Sequence, residues 1–103
     1  MATKLETFRA MVAKNPDNPL ARFGLANEAM KEGLHEEAVA QLREYHARYD
    51  DEGNGWSRLA ESLVALDRMD EAREALDRGI AAARRYGHGG LATELELRKE
   101  ELE

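Results

Sequence analysis

A chain of 103 residues, 43% hydrophobic and 35% charged, has the composition of one soluble globular domain; with no cysteine it excludes disulfides, thiolate catalysis and cysteine-based metal sites. The formal charge of -6 comes from 21 acidic and 15 basic residues of interspersed sign, which disfavours nucleic acid and anionic membrane as partners, since both bind clustered Lys and Arg. No apolar stretch approaches the roughly 18 residues needed to cross a bilayer, and Lys4, Glu6 and Arg9 break up any signal-like start, so a cytoplasmic setting is the expectation.

Leu5, Phe8, Met11 and Val12 fall on one face of a helix over 3–14, which stops near Asn15-Pro16. Asn18 as a cap and Pro19 in the first turn start a second helix over 19–31, with Leu25, Ala26, Ala29 and Met30 as its apolar stripe. A turn at Gly33 leads to a third helix over 35–48, where Ala38, Leu42 and Tyr45 recur at helical spacing. Asp50-Asp51-Glu52 reads as a solvated turn. Trp56, Leu59, Ala60, Leu63 and Leu66 line a fourth helix over 54–66, which Asp67-Arg68 interrupts. Met69, Ala72, Leu76 and Ile80 mark a fifth over 69–85; Arg84 and Arg85 suit its C-terminus, and Gly87-His88-Gly89-Gly90 ends it. Leu91, Leu95 and Leu102 then indicate a sixth over 91–101, acidic enough to serve as a solubilising cap.

Shifting the sequence against itself by 34 residues superposes Leu25-Ala26 on Leu59-Ala60, Ala38 on Ala72 and Leu42 on Leu76. The same shift carries Phe8 to Leu42. What repeats is the set of packing positions, so the chain divides into a half unit over 3–16, full units over 19–52 and 53–86, and a closing helix over 89–103. Connections this short force neighbouring helices antiparallel. The small residues Ala26, Ala60, Ala38 and Ala72 mark where helix backbones cross closely.

In this frame the sequence resembles the tetratricopeptide repeat family. Trp56, Leu59, Leu63, Ala72 and Leu76 follow its signature, with Ala60 in the small glycine position; Leu25, Ala26, Ala29, Gly33, Ala38 and Leu42 do so in the first unit, and Phe8 and Pro16 in the opening half. Departures are Arg22 in the Trp position, Ala29 and Leu63 in place of Tyr, and Asp50 and Arg84 in place of the final Pro. The resemblance implies an all-α fold of about six helices, in antiparallel pairs stacked as a short right-handed solenoid. It also implies a non-enzymatic scaffold that grips a protein or peptide on a concave face. Mapped by position, that face has Leu20, Phe23, Asn27, Met30 and Lys31 on one wall and Asn54, Ser57, Glu61, Val64 and Ala65 on the other. Asn27 matches an asparagine of the carboxylate clamp found in some members, but Phe23 stands where the clamp's first Lys would be, so such a clamp is not expected.

Phe23 and Met30 are candidate apolar anchors in the groove, with packing against the first helix as the competing assignment. Trp56 is expected to pack between paired helices, and Tyr45, Tyr49 and Tyr86 to seal seams with their hydroxyls in water. His35, His46 and His88 form no ligand motif, so neither metal nor cofactor is expected. The acidic residues pair with bases three or four positions on, as Asp70 with Arg73 and Glu74 with Arg78, which is a surface device and not a catalytic one. Against the scaffold reading stands a self-associating module that forms a homodimer or higher oligomer through its terminal helices.

Overall fold

The computed structural model describes residues 1–103 and contains six helices and no strand. They are α1 (Lys4–Lys14), α2 (Pro19–Lys31), α3 (His35–Arg48), α4 (Asn54–Ala65), α5 (Met69–Arg85) and α6 (Gly89–Glu101). Each helix packs on its neighbours in sequence, and the stack measures 42 × 28 × 19 Å. The antiparallel pairs are therefore laid side by side as the 34-residue period requires. Ala26, Ala38, Ala60 and Ala72 have no exposed surface, and Ala26, Ala60 and Ala72 share one core cluster with Leu42, Leu59, Leu63 and Leu76.

Helix ends follow from local chemistry. At α1 a reciprocal capping box joins Thr3 and Glu6, and at α2 the Asn18 carboxamide accepts from the Leu20 and Ala21 amides. The hydrogen bond to Thr3 holds the Glu6 carboxyl below its ordinary range. The closing turns repeat as well. Gly33 (φ 73°) and Asp67 (φ 58°), 34 residues apart, both adopt the left-handed conformation; the following amide donates back to Ala29 in one turn and to Leu63 in the other, each at 2.8 Å. Gly87 (φ 76°) closes α5 in the same way, so only this glycine of the 87–90 run ends a helix. Gly89 and Gly90 already belong to α6, which begins two residues earlier than its apolar stripe suggests.

An ion pair records the stacking register. Arg9 on α1 holds Glu37 on α3 at 2.6 Å, and 34 residues later Arg43 on α3 holds Glu71 on α5 at 3.0 Å. The first helix thus stands to the third as the third stands to the fifth. Exposed pairs of this kind add about 1 kcal/mol at most, so they report the geometry and do not create it. What docks α1 is Phe8, whose ring lies over Gly24 so closely that a Cβ there would be 2.3 Å from it.

The joint between α3 and α4 departs from the expected solvated turn. Asp51 is buried: one carboxylate oxygen accepts from the Gly53 amide at 2.9 Å, and the other from the Gly55 amide at 2.8 Å and the Tyr45 hydroxyl at 2.9 Å. An anion at the start of α4 also suits the helix dipole. Tyr45 consequently sends its hydroxyl inward and not to water; burial, aided by the Asp51 bond, pushes its phenol well above the ordinary range. Tyr49 and Tyr86 remain about half exposed, with the Tyr86 hydroxyl on Asp50 at 3.0 Å. Trp56 does pack between helices: its ring stacks on His46 at 3.6 Å, and Arg78 of α5 lies 5.5 Å from its centroid.

Both ring nitrogens of His46 are buried and neither has a hydrogen-bond partner. Burial holds the imidazole below its ordinary value of 6.5, against the opposing pull of the Asp51 carboxylate, the nearby Gly55 backbone and the Asp50 carboxylate, while Arg78 adds to the depression. The folded state therefore binds fewer protons at this site than the unfolded chain does. The stabilisation that follows is present above about pH 6.5 and is lost as pH falls toward the depressed folded value. Urea melts at neutral pH and near pH 5 should show stability declining on acidification. The decline should be smaller in His46→Phe, and an equal decline in that variant would assign the effect to the carboxylates instead.

Candidate peptide-binding groove

The second, fourth and sixth helices line one side of the stack. Between α2 and α4 lies an open cleft of about 500 Å³. It gathers Asn27, Met30, Lys31, Glu61 and Ala65, five of the residues expected on the concave face. His35 and Arg58 complete its wall. Between α4 and α6 a second depression of about 400 Å³ adjoins the first, sharing Arg58 and Glu61 and adding Asn54, Ser57, Glu94 and Arg98. Val64 lies in a smaller hollow beside Glu61, Arg98 and Leu102. Leu20, at the start of α2, is 74% exposed and lines none of these three hollows.

Phe23 lies at the edge of the core. It is half-buried, tilted against Tyr45 of α3 at 5.2 Å between centroids, with the Arg58 guanidinium 6.0 Å from its ring. It therefore lies on the floor beneath Arg58, while the contact of α1 with α2 is made by Phe8 over Gly24. Within the cleft the Asn27 side-chain oxygen is buried without a hydrogen-bond partner, and Lys31 is tied to Glu28 at 3.2 Å. His35 of α3 meets Ser62 of α4, joining one helix pair to the next, at 3.1 Å from Nδ1 to the hydroxyl. No group of three or more His, Asp and Glu side chains is placed to hold a metal ion.

The sequence profile of the tetratricopeptide repeat family matches residues 1–78, three quarters of the chain. The chain belongs to the tetratricopeptide repeat family. Among related tetratricopeptide repeat proteins, the TPR repeat-containing protein PA0015 of Pseudomonas aeruginosa is 31% identical over 83 residues, covering 81% of this chain and 79% of that protein. The beta-barrel assembly-enhancing proteases of Escherichia coli K12 and Shigella flexneri are 35% identical over 68 residues. That match takes in 66% of this chain but spans only 14% of the length of the proteases. No solved structure matches the chain.

Within this tetratricopeptide repeat fold, Arg22 in the Trp position is nearly buried and donates to the Pro16 carbonyl at 2.8 Å and to Gln41 at 2.9 Å. It pins the turn before α2, where Trp56 in the next pair packs on His46. The tetratricopeptide repeat pattern did not point to His35, Arg58, Glu94 or Arg98 as groove residues. Arg58 was within reach, being one turn before Glu61 on the same helix face. Arg98 was not, because its place depends on α6 lying against α5, whereupon its guanidinium reaches back to Ser57 of α4 at 2.6 Å. No helix is long and apolar enough to cross a membrane.

Proposed function

We propose that this chain is a scaffold holding a peptide or partner protein in the groove formed by α2, α4 and α6. The observation that carries the reading is the pair of adjoining clefts, whose walls come from three helices anchored by buried contacts. A surface built in this way needs little ordering when a ligand docks, so more of the contact energy remains as affinity. The wall also offers mixed recognition: the Met30 side chain for apolar contact, the Asn27 NH2 group as a donor to a partner's carbonyl, and Arg58 and Glu61 for charge. Residues 20, 23, 27, 30 and 31 on α2 and 54, 57, 61 and 64 on α4 are the proposed contacts, with Phe23 acting through the residues above it.

A photo-crosslinking amino acid at Met30 or Lys31 should capture the partner from an extract of the native cell, whereas the same group at Glu74 on α5 should not. Equal capture from both places would remove the groove from the account. Self-association is separated by light scattering, in which a monomer at micromolar concentration leaves the scaffold reading and a dimer supports the alternative.

A further inference from the structure

The arginines of this chain are sorted in a way its composition does not require. With 21 acidic side chains to 15 basic ones, every cation has carboxylates to spare. Accordingly each surface arginine outside the groove holds one, as Arg9 holds Glu37, Arg43 and Arg68 hold Glu71, Arg84 holds Glu96 and Arg85 holds Asp50. Arg48, Arg73 and Arg78 do the same with acids on their own helices. Buried Arg22 is satisfied by Pro16 and Gln41. The two exceptions both line the groove. Arg58 makes neither an ion pair nor a hydrogen bond, although Glu61 stands one turn away; it rests over the Phe23 ring instead. Arg98 donates only to the Ser57 hydroxyl and carbonyl, at 2.6 and 3.4 Å.

We infer that the groove takes an acidic peptide, whose internal Asp or Glu side chains seat on Arg58 and Arg98. A guanidinium carries five donors and no acceptor, so the group that satisfies it is a planar, oxygen-rich anion bound through two parallel hydrogen bonds. Arg58 has all five donors free and is positioned by an aromatic face in place of a competing carboxylate. Both arginines line the same depression, Arg58 from α4 and Arg98 from α6, and Ser57 lines it as well. Glu61 and Glu94 line it too, so the depression carries two cations and two anions and no net positive charge. A phosphate's second charge therefore gains nothing over a carboxylate, because it strengthens repulsion and attraction alike. The ligand group proposed is the carboxylate. This inference rests on the scaffold reading above.

The test uses short peptides of alternating Glu and Ala, acetylated and amidated so that no terminal carboxylate remains, beside matched peptides carrying Gln, Lys or phosphoserine. Binding is read by amide shifts on α2, α4 and α6 and by fluorescence anisotropy. The Glu peptide should bind at low salt and be released at molar salt. Arg58→Gln should weaken it about tenfold, while Arg43→Gln on α3 should leave it unchanged. The inference is overturned if the Lys or Gln peptide binds as well, if phosphoserine binds more tightly, or if Arg58→Gln has no effect. Groove shifts with the Lys or Gln peptide would retain the scaffold while removing its acidic preference. Shifts with none of the peptides would also remove the acidic preference, and would leave the scaffold reading to the crosslinking test.

Discussion

Asp51→Ala should destabilise the fold by about 3–5 kcal/mol, a large share of what a domain of this size possesses. The carboxylate is the shared acceptor for the Gly53 amide, the Gly55 amide and the Tyr45 hydroxyl, all buried. Truncation removes the acceptor and leaves the three donors with no replacement. Water cannot fill the space easily, because the joint is closed by Tyr45, His46 and Trp56; a Cβ on Gly55 would already lie 2.6–2.7 Å from Asp51, His46 and Tyr45. Asp51→Asn should fall between Ala and wild type. Its oxygen serves one side of the network, but its amide presents donors to a donor on the other. Tyr45→Phe should cost only about 1 kcal/mol, since it deletes a donor and leaves the carboxylate on two amides. Urea denaturation followed by circular dichroism gives the ranking. If Asp51→Ala proved no worse than Tyr45→Phe, Asp51 would be an ordinary surface residue of the turn.

That network also shows where sequence reasoning reaches its limit. Helix positions were legible because they depend on the spacing of apolar residues and on capping chemistry within a few positions; the observed bounds of α1 to α5 fall within a residue of those expected. Equivalent alanines at a separation of 34 likewise announced interior positions, and the pairs Arg9–Glu37 and Arg43–Glu71 could have been found by the same shift. Asp51 could not, because a run of three acidic residues ordinarily means water. Only the inward turn of the Tyr45 side chain and the close approach allowed by Gly55 make its burial possible. The candidate groove divides along the same line. Residues of α2 and α4 follow from helical periodicity, whereas Arg98 enters through a contact 41 positions away that no local pattern encodes.

The other large effect concerns the interior and tests whether the repeat is energetically even. Leu25 and Leu59 occupy equivalent positions and are almost equally buried, at 2% and 1% exposed. By area alone, truncation of either to Ala should cost the same, on the order of 2–5 kcal/mol. They differ in their surroundings. Leu59 belongs to the continuous core with Leu42, Leu63, Leu76 and Ile80, contributed by α3, α4 and α5, while Leu25 stands outside that cluster. In a stack where each pair contacts only its neighbours, stability is a sum of unit and interface contributions, and a central defect weakens an interface on each side. Leu59→Ala should therefore lie near the upper end of the range and lower the whole melting transition. Leu25→Ala should lie near the lower end, with amides of α1 and α2 exchanging hydrogen before those of α4 and α5. The comparison is made by urea titration and hydrogen exchange on both variants. Equal costs with uniform exchange would mean that the stack melts as one indivisible unit, and that position along it carries no energetic weight.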